Sequence, residues 1–173
     1  MVVGNRHLWK KLIMSQGDQI SGNQKRKIRS ATRLYIIQAL FQMEQLGQSI
    51  DQVAEEFIEH RFGAHYDEGQ MSDGDEALFK SILEAAVNFQ ASIDQLTDRA
   101  LVEKWPIARI DPTLRSLFRS AAAEIIQIKT PPKIVITEYV ALANAFFPDG
   151  KEANFVNAVL DHMAKEACPS AFS

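Results

Sequence analysis

The sequence predicts an all-α fold of about seven helices joined by short connections. Three observations carry this expectation. Apolar residues recur at three- and four-residue spacing along most of the chain. Gly47, Trp105-Pro106, Thr130-Pro131-Pro132 and Pro148-Asp149-Gly150 punctuate those stripes as stop or turn signals. No convincing pair of strands is visible. The chain has 173 residues, 46% hydrophobic and 24% charged, so one globular domain with a real core is expected.

Residues 1–23 read as a flexible extension, because Ser15 to Asn23 is polar and holds Gly17 and Gly22. Met14 is an alternative start. The domain proper is placed at residues 24–166, with 167–173 as a tail. Its first helix, Lys25 to Gln45, organises the rest. Leu34 to Met43 is apolar almost all round, broken only by Gln38 and Gln42, and such a helix belongs in a core. Gly47 ends it. Ile50, Val53, Ala54, Phe57 and Ile58 then mark a short amphipathic helix to about His60. Arg61 to Gly74 is expected to be a loop, with Ser72 as N-cap of the next helix and Asp75 as its partner. That helix carries Leu78, Phe79, Ile82, Leu83, Ala86, Val87 and Phe89, and Ile93, Leu96 and Leu101 belong to another. Asp111-Pro112 is a strong helix start, an acid at the N-cap before proline at the first helical position. Ile134-Val135-Ile136 is β-branched and compatible with a strand, but the preceding prolines and the spacing of Ile136, Val140, Ala143 and Phe147 favour helix. Phe155, Val156, Val159, Leu160 and Met163 form the last one.

Net charge is −3, which excludes a generally basic nucleic-acid binder. The distribution is more informative. Residues 1–43 hold eight basic residues and one acid, and residues 44–103 hold three basic residues and 14 acids. A cationic end beside an acidic middle suits RNA on one side and a basic protein on the other, or else a solvated acidic face. The cationic end is concentrated in Lys25, Arg26, Lys27, Arg29 and Arg33. Lys25, Arg29 and Arg33 are four apart and line one face, with Arg26 close enough to join them. Bases at a helix N-terminus oppose its dipole, so they suggest an anionic partner. Arginine also stacks on unpaired bases.

Chemistry of other kinds finds little support. The one cysteine, Cys168, cannot build a disulfide frame or a thiolate metal site, in keeping with a reducing cytoplasm. No apolar run approaches the ~20 residues of a membrane span. His60, His65, Asp67 and Glu68 lack the one-turn spacing of a helical metal pair. No glycine-rich phosphate cradle, nucleophile elbow or triad pattern is present, so neither a metal, a cofactor nor catalysis is expected.

Several runs together carry a resemblance. They are Arg33 followed by Ile37-Gln38-Ala39-Leu40-Phe41, then Arg109 to Arg115 and Ala123-Glu124-Ile-Ile, then Pro132 to Val140 with Glu138, and last Phe155-Val-Asn-Ala-Val-Leu-Asp161. In order and spacing the chain resembles the NusB family of bacterial transcription antitermination factors over roughly residues 24–166. The resemblance implies two small packed helical bundles without catalysis. It implies a factor that pairs with the ribosomal protein NusE, binds the boxA element of nascent ribosomal RNA transcripts, and joins the antitermination complex on RNA polymerase. It places the basic start of the first helix on RNA, Phe41 and Glu124 on the NusE side, and the start of the last helix, Lys151 to Phe155, near RNA. Within that last stretch, helical spacing favours core for Phe155 over stacking on a base, and leaves Lys151 and Asn154 as exposed candidates. Phe41 is core unless a partner covers it. Glu124 pairs with a partner's base or faces water. The chain departs from the family where Ser30 and Ala31 interrupt the arginine cluster, and at Ala123, Thr137 and Ala158. Alternatives are a helical adaptor without an RNA role, or an accessory domain of the kind that fronts rRNA methyltransferases. A homodimer that buries the basic helix is also open.

Overall fold

The structure, a computed structural model, describes residues 21–102 and 105–173. Met14 and most of the expected N-terminal extension lie outside the described residues. Seven α-helices are present among the described residues: α1 (Gly22–Leu46), α2 (Ile50–Glu56), α3 (Glu76–Asn88), α4 (Gln90–Ala100), α5 (Pro112–Ala123), α6 (Pro132–Phe146) and α7 (Glu152–Ala167).

Local chemistry explains most boundaries. Ser21 caps α1 by accepting from the Gln24 N–H at 3.2 Å. Gly47 closes it in the left-handed region at φ 66°, donating to the Met43 carbonyl at 2.9 Å. Ser49 and Gln52 form a reciprocal capping box on α2. That helix runs on into one wider turn, Phe57–Arg61, before Phe62 leaves it extended. The Asp111 carboxylate accepts from the Thr113 N–H at 2.7 Å, and Pro112 opens α5 as expected. Pro132 likewise opens α6, so Ile134 to Ile136 are helical.

Two expectations are corrected. Asp75, not Ser72, caps α3, accepting from the Leu78 N–H at 3.0 Å. Ser72 stays outside the helix because its carbonyl is held by the Tyr35 hydroxyl at 2.6 Å and the Gly63 N–H at 3.1 Å. The expected loop also contains a small antiparallel hairpin, β1 (His65–Tyr66) with β2 (Gly69–Gln70). Strands of two residues are too short for alternation to announce them.

The helices form two bundles that share α1 and α5 as their seam. In the first, α1 packs on α2 and α3; in the second, α5 is surrounded by α4, α6 and α7. Tyr35, Phe57, Phe62 and Phe79 make the aromatic centre of the first bundle, with ring centroids 4.9 to 6.4 Å apart. Such pairs add about 0.5–1.5 kcal/mol each beyond their burial. Leu117, Phe118, Tyr139, Val156 and Leu160 are buried in the second. A clasp of charges closes the seam at the far end of α1. Glu44 pairs with Arg115 and, at 3.1 Å, with Arg119, which also grips Asp94 of α4 through two bonds of 2.9 and 3.0 Å. Hydrogen bonding from Arg115 is the main reason the Glu44 carboxyl is held below its ordinary range. Among the described residues, no helix is long and apolar enough to cross a membrane.

Candidate nucleic-acid interface

The first two turns of α1 present Lys25, Arg26, Lys27 and Arg29 to solvent. The first turn contains no acid, so nothing on the helix itself offsets the positive end of the dipole. The four cations therefore form an open, strongly cationic strip on one end of α1.

Arg33 does not belong to that strip. It lies on the same face one turn further on, but there the face has turned inward, and the residue is 5% exposed. Its Nε donates to the Glu124 carboxylate at 3.0 and 3.2 Å and its Nη2 at 2.6 Å. Its Nη1 lies 3.6 Å from Glu138 of α6. Burial alone lowers an arginine pKa, yet the hydrogen bonds and charge of Glu124 outweigh it, and Arg33 is held above its ordinary value. Glu124 is itself fully buried and also accepts from the Thr130 hydroxyl at 3.0 Å. The wide turn Glu124–Ile128 that ends α5 sets it there. The expected RNA contact at Arg33 and the expected partner contact at Glu124 are thus corrected together: each is the other's internal counter-ion.

This pair heads a polar network that sequence reasoning missed. The Ser30 hydroxyl donates to Glu138 at 2.8 Å, so α6 steadies the inner edge of the basic strip. The Tyr139 hydroxyl, 2.6 Å from Ser120 Oγ, sits next to Glu124. Burial first, and the Glu124 charge second, push its phenol well above the ordinary range. The signal for the pair was available. Arg33 recurs with Ile36, Ile37 and Leu40 on one stripe, and Glu124 with Leu117 and Ala121 on another, so both charges fall on core faces.

The remaining candidates divide between two other places. Lys151 and Asn154 are exposed at the start of α7, while Phe155 is half-buried with its ring edge-on to Phe118 at 5.9 Å. Phe41 lies on the opposite half of α1 from the strip; 12 residues separate it from Arg29, roughly 18 Å along a helix. Its ring is 37% exposed and faces an open groove of about 470 Å³ that Ile37, Leu46, Phe57, Arg61 and Phe146 also line. Leu46 beside it is 67% exposed. An uncovered apolar groove of this kind is a candidate interaction surface.

Comparison with known proteins places the chain in a family. The sequence profile of the NusB family matches residues 30–165. The transcription antitermination protein NusB of Granulibacter bethesdensis is 38% identical over 157 residues, covering 87% of this chain and 96% of its own. That of Maricaulis maris is 40% identical over 147 residues, covering 84% and 91%. Among solved structures, NusB of T. maritima matches with a TM-score of 0.67 at 28% identity, covering 83% of this chain and 96% of that one. A crystal structure of antitermination factors NusB and NusE in complex with dsRNA shares the fold, with a TM-score of 0.66 at 21% identity over 84% of this chain and 99% of that one. The chain belongs to the NusB family of transcription antitermination proteins.

Proposed function

We propose that this protein is a cytoplasmic antitermination factor that binds boxA-like single-stranded RNA of ribosomal RNA operons together with the ribosomal protein NusE, within the antitermination complex on RNA polymerase. The observation that carries the reading is the exposed strip Lys25, Arg26, Lys27 and Arg29, four cations on the end of a helix whose dipole disfavours them. Lys151 and Asn154 are offered as secondary RNA contacts. The partner protein is assigned to the Phe41 groove, on the apolar surface that Phe41, Leu46 and Phe146 offer.

The mechanism is assembly. The strip and the groove sit on one continuous helix, so the RNA and the partner are held at a fixed separation. Two weak binders joined on one RNA gain affinity through effective concentration, with no bond made or broken.

Fluorescence anisotropy with a boxA-like strand and a scrambled copy, each with and without NusE over a salt series, tests this. Preference for the boxA-like strand that grows with NusE is the expected result. Equal weak binding to both strands, unmoved by NusE, overturns it.

A further inference from the structure

Beside the basic strip lies a second groove, of about 400 Å³. One wall is α1, through Asn23, Gln24, Lys27 and Ile28; the other is Ser72 and Asp73, from the segment that precedes α3. We infer that this groove is a base-reading subsite in which Asp73 selects an unpaired base with a donor edge, guanine above all. The inference rests on the RNA-binding reading of the strip and deepens it.

The second wall is built, not incidental. The Tyr35 hydroxyl holds the Ser72 carbonyl at 2.6 Å, and the Thr32 hydroxyl accepts from the Asp75 N–H at 2.8 Å. Both anchors come from α1, one and two turns beyond Lys27 and Ile28. Gly74 completes the fit: a Cβ there would lie 2.6 Å from the Phe62 ring, so only glycine lets the chain pass this close. A wall fixed in advance spares the ligand the entropy of ordering it.

The charge of Asp73 then decides what the groove takes. Lys27 suits a phosphate, but an exposed carboxylate opposite it repels one. A carboxylate is acceptor-only, so it binds groups that donate. Oδ1 of Asp73 accepts from the Gly74 N–H at 2.9 Å, which orients the group, and Oδ2 accepts no hydrogen bond among the described residues. Guanine presents a ring N–H and an amino group side by side, matching one carboxylate; cytosine and adenine offer a single amino group, and uracil flanks its N–H with two carbonyls. Ile28 offers an apolar surface to the ring face, and Lys27 is placed for the adjoining phosphate. Reading unpaired bases by their edges in this way is how proteins take sequence from single-stranded RNA.

The test uses the full chain, with and without NusE, and short boxA-like strands in which each guanine in turn is replaced by inosine, which lacks the amino group. One replacement, which removes a single hydrogen bond to a charged group, is expected to weaken binding to the wild-type protein by roughly ten- to a hundredfold. Asp73→Asn keeps the turn at Gly74, because its side-chain oxygen still accepts, and should erase that difference without changing the thermal melt. If Asp73→Asn instead tightens every strand equally, the acid merely repels phosphate and the subsite is overturned. Insensitivity of the wild type to inosine at every position overturns it too, while leaving the RNA-binding reading intact. Absence of all RNA binding by the wild type sinks both.

Discussion

The Arg33 guanidinium and the Glu124 carboxylate, 91 residues apart in sequence, meet inside the protein through three hydrogen bonds of 2.6 to 3.2 Å. Neither reaches solvent to any useful extent. Removing Arg33 strands the Glu124 charge in the core, and removing Glu124 leaves Arg33 only its 3.6 Å contact with Glu138. Glu124→Leu and Arg33→Met are each expected to destabilise the fold by about 3–5 kcal/mol, read from urea unfolding midpoints. The double variant Arg33→Met/Glu124→Leu should lose far less than the sum of the two. Strict additivity would refute the pairing.

Arg29 and Arg33 are one helical turn apart and should respond in opposite ways. Arg29→Ala is expected to weaken RNA binding and to flatten the slope of log K against log salt by about 0.7 for each phosphate it ceases to neutralise. Its melting curve should move by no more than about 0.5 kcal/mol, as for an exposed site. Arg33→Ala should lower the melting temperature first. A matched pair of melts and salt titrations decides it, and equal melts for the two variants would count against the burial of Arg33.

Tyr139 gives the protein an alkaline weakness. Its phenol is held well above the ordinary value of 10.0, by burial and then by the Glu124 charge. Below pH ~10 both folded and unfolded states keep the proton, and this group leaves stability unchanged. Above it the unfolded chain ionises while the folded chain does not, so unfolding becomes easier as pH rises. Tyr139→Phe should flatten that alkaline limb of the stability profile. It should not abolish it, because burial raises Tyr35 as well. Parallel limbs for the wild type and the variant would contradict the assignment.

Phe41→Ala should separate the partner from the fold. A fully buried phenylalanine costs about 3–5 kcal/mol to truncate, and Phe41, at 37% exposure, should cost less. Calorimetric titration with NusE is expected to show the larger effect, a loss of at least about 1–2 kcal/mol in binding, as for an anchor in an apolar groove. Unchanged affinity would move the partner surface elsewhere.

The helices were legible because their signals are local. Gly47, Asp111-Pro112 and Pro132 act on their immediate neighbours, and the structure places boundaries at each. The burial of Leu40 and its neighbours followed from their periodicity. Ser72 failed as a cap because Tyr35, distant in sequence, claims its carbonyl. Arg33 misled for a related reason. Its membership in a run of cations pointed outward, while its register with Ile37 and Leu40 pointed inward, and the decisive partner lies at the end of α5. The Asp73 groove gave no sequence signal at all, since it exists only where a loop is fastened against α1.

The buried pair also constrains how such a sequence drifts over generations. A lineage that replaces Arg33 alone, or Glu124 alone, passes through a form with one orphaned interior charge, close to the limit of a marginally stable domain. Both sites should therefore change together or stay put, whereas Lys25 to Arg29, each answering only to solvent and ligand, can be traded one at a time. The interior pair, more than the exposed cationic strip, is then expected to be the slowest-changing charged feature of the molecule.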